Sequence, residues 1–178
     1  MKTEQEILDL NNPIHSYDYC IKNKNTANIK AHEKVILDSN NYLYCYMFAK
    51  NISKENLKAL EQVAINNRNA EYCYKFAYNI SGSNIKAHEQ VILDSKYNFY
   101  CFYFALNIID ANIKAHEQVI IDSKNLGDCF YFAKEIKESN KQLLSEIVLA
   151  SGDLKYIKRF YNEVDFDKTR YETLLLFL

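Results

Sequence analysis

The 178-residue sequence contains only three glycines and one proline and has no tryptophan, against 15 tyrosines and 10 phenylalanines. So few turn-formers argue against a loop-rich all-β fold. So many rings argue against collagenous or disordered chains, which leaves helices as the best fit. An excess of either charge is also missing: the formal net charge of -1 supplies no overall basic field to draw phosphate polymers. Residues 1–10 lack a long apolar run after a basic start, so neither a signal peptide nor a membrane span is expected, and the reading is cytoplasmic. No Cys-x-x-Cys, Gly-rich phosphate loop, His-Glu-x-x-His or Gly-x-Ser-x-Gly occurs. The expectation is a non-enzyme with no catalytic residue, no cofactor and no metal ligand.

In place of such motifs there is a period. Cys45, Cys73, Cys101 and Cys129 follow one another at 28 residues, and their surroundings recur in the same phase. A fixed period between 20 and 50 residues is the signature of a solenoid or a related array. Repeats are read at 27–54, 55–82, 83–110 and 111–138, with a diverged repeat at 139–166. An N-terminal cap takes 1–26 and a C-terminal cap helix takes 167–178. No stretch breaks the phase, so one elongated domain over 1–178 is expected.

Each repeat reads as two helices. In the first, Ile29, His32 and Ile36 share a face at about 100° per residue, and Asn28 is placed to cap it. Leu57, Leu60 and Ala64, then Ile85, His88 and Ile92, then Ile113, His116 and Ile120 repeat that face. Asp38-Ser-Asn-Asn41 and its equivalents are turn-formers that end the helix. The second helix carries Cys45, Phe48, Ala49 and Ile52 at i, i+3, i+4 and i+7, a buried stripe that returns three times. In the N-terminal cap, Asn12-Pro13 reads as N-cap and first helical residue, with Tyr17, Cys20 and Ile21 at the buried slots. One repeat cannot bury its apolar face alone, so neighbours must cover it.

Histidines in phase invite a metal reading, yet Leu60 and Leu144 occupy the same slot as His32, His88 and His116, so the position is one of packing. The thiols lie on the central stripe, where cysteine behaves as a small hydrophobe. Helices in adjacent repeats sit about 8–10 Å apart, beyond the ~7 Å reach of a disulfide, so the thiols stay reduced. Lys30, Lys58, Lys86 and Lys114 form an outward ladder, and Glu33, Glu61, Glu89 and Glu117, three residues on, are expected to pair with them along the helix. Lys155, Lys158 and Arg159 read as a solvated face.

The outer face of the second helices varies. Leu43, Met47 and Lys50 are followed there by Glu71, Lys75 and Tyr78, then Phe99, Tyr103 and Leu106, then Gly127, Tyr131 and Lys134. A plain solvated face carries Lys, Glu and Gln, so Leu43, Met47, Tyr78, Phe99, Tyr103, Leu106 and Tyr131 are the candidate partner-binding residues. Burial of this ridge by curvature or by a second copy is the competing reading.

The helix-turn-helix repeats, with Asn84 to Ile92 nearly repeated at Asn112 to Ile120, resemble α-solenoid arrays of the tetratricopeptide, HEAT and armadillo kind. The repeat is shorter than a tetratricopeptide unit and matches none of their consensus patterns. The resemblance implies an all-α fold, a right-handed α-α solenoid, and binding of proteins along an extended surface. The expected function is a non-catalytic module for a partner protein. The weight of Asn, Lys, Ile, Tyr and Phe suggests an AT-rich genome, as in some bacteria and phages, and extends that expectation to a phage or mobile-element inhibitor of a host protein. Two alternatives remain at this point: RNA or single-stranded DNA bound by stacking rings and the lysine ladder, and a scaffold that forms homo-oligomers through Leu174 to Leu178.

Overall fold

A computed structural model of the chain describes residues 2–175, the side chains of 170, 174 and 175 aside. Among the described residues every regular element is a helix and no strand occurs. The chain divides into two compact units, Met1–Ser95 and Lys96–Leu178. The first holds α1 (Glu4–Asp9), α2 (Pro13–Lys22), α3 (Ile29–Asp38), α4 (Tyr42–Asn51), α5 (Leu57–Asn66), α6 (Ala70–Asn79) and α7 (Ile85–Ser95). The second holds α8 (Asn98–Asn107), α9 (Ile113–Ser123), α10 (Leu126–Glu135), α11 (Lys141–Ala150), α12 (Leu154–Glu163) and α13 (Thr169–Leu175).

Short polar caps set the helix starts. Asn28 accepts from the Ala31 amide, Asn41 from Leu43 and Tyr44, Asn125 from Gly127 and Asp128, and Asp153 from Lys155 and Tyr156. Between paired helices one residue turns left-handed: Asn40 (φ 49°) and Arg68 (φ 49°) in the first unit, Lys124 (φ 54°) and Gly152 (φ 70°) in the second. That turn reverses the chain, so α3 lies against α4 and α5 against α6 in the first unit, and α9 against α10 and α11 against α12 in the second. In the first unit α2, α4 and α6 also touch in series, as do α1, α3, α5 and α7. In the second, α10 touches both α8 and α12.

The core lies between the two layers of helices. In the first unit Ile36, Leu60 and Ile92 face Cys45, Phe48, Cys73 and Phe76, all fully buried. The second unit joins Ile120, Cys129, Phe132, Ala133, Leu144, Val148, Ile157 and Phe160 in one cluster. At about 1.5–3 kcal/mol per large apolar side chain removed from water, these stripes are the main favourable term. All five cysteines are free and buried. Burial pushes the Cys45 and Cys73 thiols up to about 12, which keeps them protonated and inert at neutral pH.

Ile21 departs from its expected burial and is 44% exposed. Its neighbour α1 is six residues long and contributes no buried side chain, so that flank of α2 stays open among the described residues. No described helix is long and apolar enough to cross a membrane. The apolar run Leu174 to Leu178, read as a self-association element, lies outside the described side chains.

Candidate functional site

Because Cys, Phe and Ala take the inner stripe of α4, α6, α8 and α10, the residues between them point outward. On α4, Leu43 and Met47 are half-buried and Lys50 is exposed, its ammonium 5.6 Å from the centre of the Tyr46 ring. On α6, Glu71 and Lys75 pair across one turn, and Tyr78 is exposed with its ring stacked on Tyr74 at 5.6 Å. These residues belong to the first unit.

The second unit carries the denser aromatic surface. Phe99 is 60% exposed and Tyr131 47% exposed, and Tyr103 and Leu106 are exposed on α8. Phe99, Tyr103 and Tyr131 come together around one groove of about 390 Å³, completed by Asn98, Phe102 and Asp128. The Phe99 and Tyr103 rings are 4.6 Å apart and tilted by 52°. Phe102 meets Tyr103 edge-on at 5.2 Å. At the groove floor the Asn98 amide donates to the Asp128 carboxylate at 2.7 Å. From α12, the Arg159 guanidinium lies 4.2 Å from the Phe130 ring centre and 5.6 Å from that of Tyr131, and Glu163 pairs with both Arg159 and Lys134.

Asn98 and Asp128 are absent from the candidate residues above, although a signal for them exists in the chain. Tyr44, Tyr72, Tyr100 and Tyr156 occupy one repeat slot, and Asp128 is its single carboxylate.

Inside the array Glu33, Glu61 and Glu117 depart from the expected lysine pairing. Lys30, Lys58, Lys86 and Lys114 are exposed, whereas Glu33, Glu61 and Glu117 are buried. They turn towards the following repeat, because the start of its first helix presents unpaired amides that a carboxylate satisfies. Glu61 accepts from the Asn84 amide at 2.9 Å and from His88 Nε2 at 3.1 Å. Glu4 does the same with Asn28 at 2.6 Å and His32 at 3.2 Å. Glu117 accepts from the Asn140 amide at 2.6 Å, and there Leu144 holds the histidine slot. Nδ1 of His32 and of His88 is buried without a hydrogen-bond partner. A proton there would be stranded, so both rings are neutral with the hydrogen on Nε2. Desolvation accordingly holds His88 below its ordinary value, against the opposing pull of Glu61.

Among the described residues no three His, Cys, Asp or Glu side chains are grouped to hold a metal ion. What the α8–α10 groove offers chemically is exposed ring area, one carboxylate and one side-chain amide. Comparison with protein-family models, with curated proteins and with solved structures returns no match.

Proposed function

We propose that the helix pairs within each unit wind as a right-handed α-α solenoid of 28-residue repeats, and that the chain is a non-catalytic module that docks a partner protein on the outer face of its second helices. The observation that carries this reading is the groove between α8 and α10, where Phe99, Tyr103 and Tyr131 are exposed together. Large rings cost little conformational entropy to immobilise and dominate the energetics of protein interfaces. Leu106 on the same helix extends the apolar area, and Leu43, Met47 and Tyr78 supply further contacts on the first unit. The thiols and the imidazoles of His32, His88 and His116 are consumed by the interior, so the outer surface is what remains to act.

Tyr103→Glu and Leu106→Glu test the reading. A buried anchor contributes about 2 kcal/mol or more, equivalent to roughly 30-fold in affinity. Affinity capture from the source cell, quantified by mass spectrometry on wild type and variants in parallel, should show one set of proteins depleted from both variants at unchanged helical circular dichroism. Equal recovery on wild type and variants would reject the outer face as the docking surface, and loss of nucleic acid alone would move the function to RNA or single-stranded DNA.

A further inference from the structure

The floor of the α8–α10 groove differs from its counterpart between α4 and α6. There Tyr42 and Tyr72 fill the equivalent positions and pack ring against ring at 4.9 Å. In α8 and α10, 56 residues later in the same phase, these two positions are Asn98 and Asp128, joined by a 2.7 Å hydrogen bond. The first position varies along the chain, as Tyr42, Ala70, Asn98 and Leu126, whereas the second is tyrosine at 72, 100 and 156 and a carboxylate at Asp128. Packing alone is met by the tyrosines, so the exchange calls for a different cause.

Its effect is electrostatic. The groove is lined by Phe99, Phe102, Tyr103 and Tyr131, contains no lysine, arginine or histidine, and has Asp128 as its one formal charge. The Asn98 amide orients the carboxylate through Oδ2 but carries no charge to neutralise it. A carboxylate drawn partly out of water among rings is stabilised by a cation, and the rings themselves attract cations to their faces. Arginine meets both demands, since its planar guanidinium stacks on an aromatic face while its N–H groups reach a carboxylate. This chain already uses that arrangement beside the groove, where Arg159 of α12 covers Phe130 at 4.2 Å, reaches the Tyr131 ring at 5.6 Å and pairs with Glu163.

We propose that the groove between α8 and α10 receives an arginine side chain of the partner protein, stacked on its aromatic walls and paired with Asp128. The inference rests on the docking reading above and names the residue that this surface selects.

The full chain is titrated with the capped peptide acetyl-Gly-Arg-Gly-amide and with its norleucine counterpart, following the ring signals of Phe99, Phe102 and Tyr131 by ¹H–¹³C NMR. The arginine peptide should shift these signals saturably, and Asp128→Asn should weaken it about tenfold, as expected for a charge-assisted bond. Tyr131→Leu, a second variant that leaves the carboxylate in place, should weaken it as well. Norleucine binding as tightly as arginine, or Asp128→Asn binding as tightly as wild type, overturns the arginine assignment and leaves the docking surface standing. An absence of ring shifts with the arginine peptide also overturns it. The docking reading is judged separately by the Tyr103 and Leu106 variants, so the two failures are distinguishable.

Discussion

At the scale of single residues, His88 and Leu60 share one repeat slot and are both fully buried, yet they ask different things of the glutamate before them. Glu61 takes the His88 N–H and the Asn84 amide together, whereas Glu33, opposite Leu60, keeps one carboxylate oxygen buried without a partner. Glu61→Ala would therefore leave two donors without their acceptor, the buried His88 N–H and the part-buried Asn84 amide, and should cost about 2–4 kcal/mol. Adding His88→Leu removes one of them, so the double variant should recover about 1–2 kcal/mol relative to additivity in a urea-denaturation cycle. The same pair predicts a pH dependence. Burial holds His88 below 6.5 in the folded chain, so at lower pH the unfolded chain binds the extra proton and stability falls as pH drops through 6.5. His88→Leu should flatten that slope between pH 7.5 and 5.5. Unchanged slopes would show that the ring is not held neutral. Glu33 and Glu117 act with the opposite sign: burial raises them above 4.5, so their contribution declines as pH rises out of the carboxylate range.

At the scale of elements, the reversal between paired helices depends on one left-handed residue, and Asn40, Arg68, Lys124 and Gly152 hold that position in their respective pairs. A Cβ is disfavoured there by about 1–2 kcal/mol, and glycine returns part of the gain through its freer unfolded chain. Arg68 is exposed, so Arg68→Gly should raise stability by about 0.5–1 kcal/mol in thermal or urea unfolding. A loss would mean that the arginine side chain contributes more than its backbone costs. These turns and the helix pairs were legible in the sequence because caps, breakers and a 3.6-residue stripe are local signals. Cys45, Phe48 and Ala49 are buried as their spacing requires. Glu61 was not legible in the same way: its spacing from Lys58 fits an exposed ion pair equally well, and only the adjoining repeat decides where it turns. Ile21 fits the stripe by position and fails because its outer flank has no cover. Of the candidate site, the outward rings were readable from the pattern. The Asn98–Asp128 floor required two helices to be placed side by side, although the break in the tyrosine series at Asp128 marked one half of it.

For the molecule as a whole, stability in a stacked array is a sum of neighbouring interfaces, so its ends matter as much as its middle. The second unit is closed by α13 through Tyr171, which is 1% exposed. Its hydroxyl donates to the Ser145 carbonyl at 2.7 Å, and the Phe166 ring meets it edge-on at 4.8 Å. Phe160, also fully buried, lies beneath it at 6.4 Å. Tyr171→Ala would open a cavity over Phe160 and should cost about 3–5 kcal/mol, while Tyr171→Phe, which keeps the ring and removes only the hydroxyl's bond to the Ser145 carbonyl, should cost about 1 kcal/mol. Nearest-neighbour coupling also dictates where the loss is felt. In hydrogen exchange, Tyr171→Ala should deprotect the amides of α11 and α12, which lie directly under the lost ring, and leave those of α1 to α4 at wild-type rates. A uniform loss of protection from α1 to α12 would instead mean that the chain unfolds as one cooperative block, and that its repeats do not carry their stability locally.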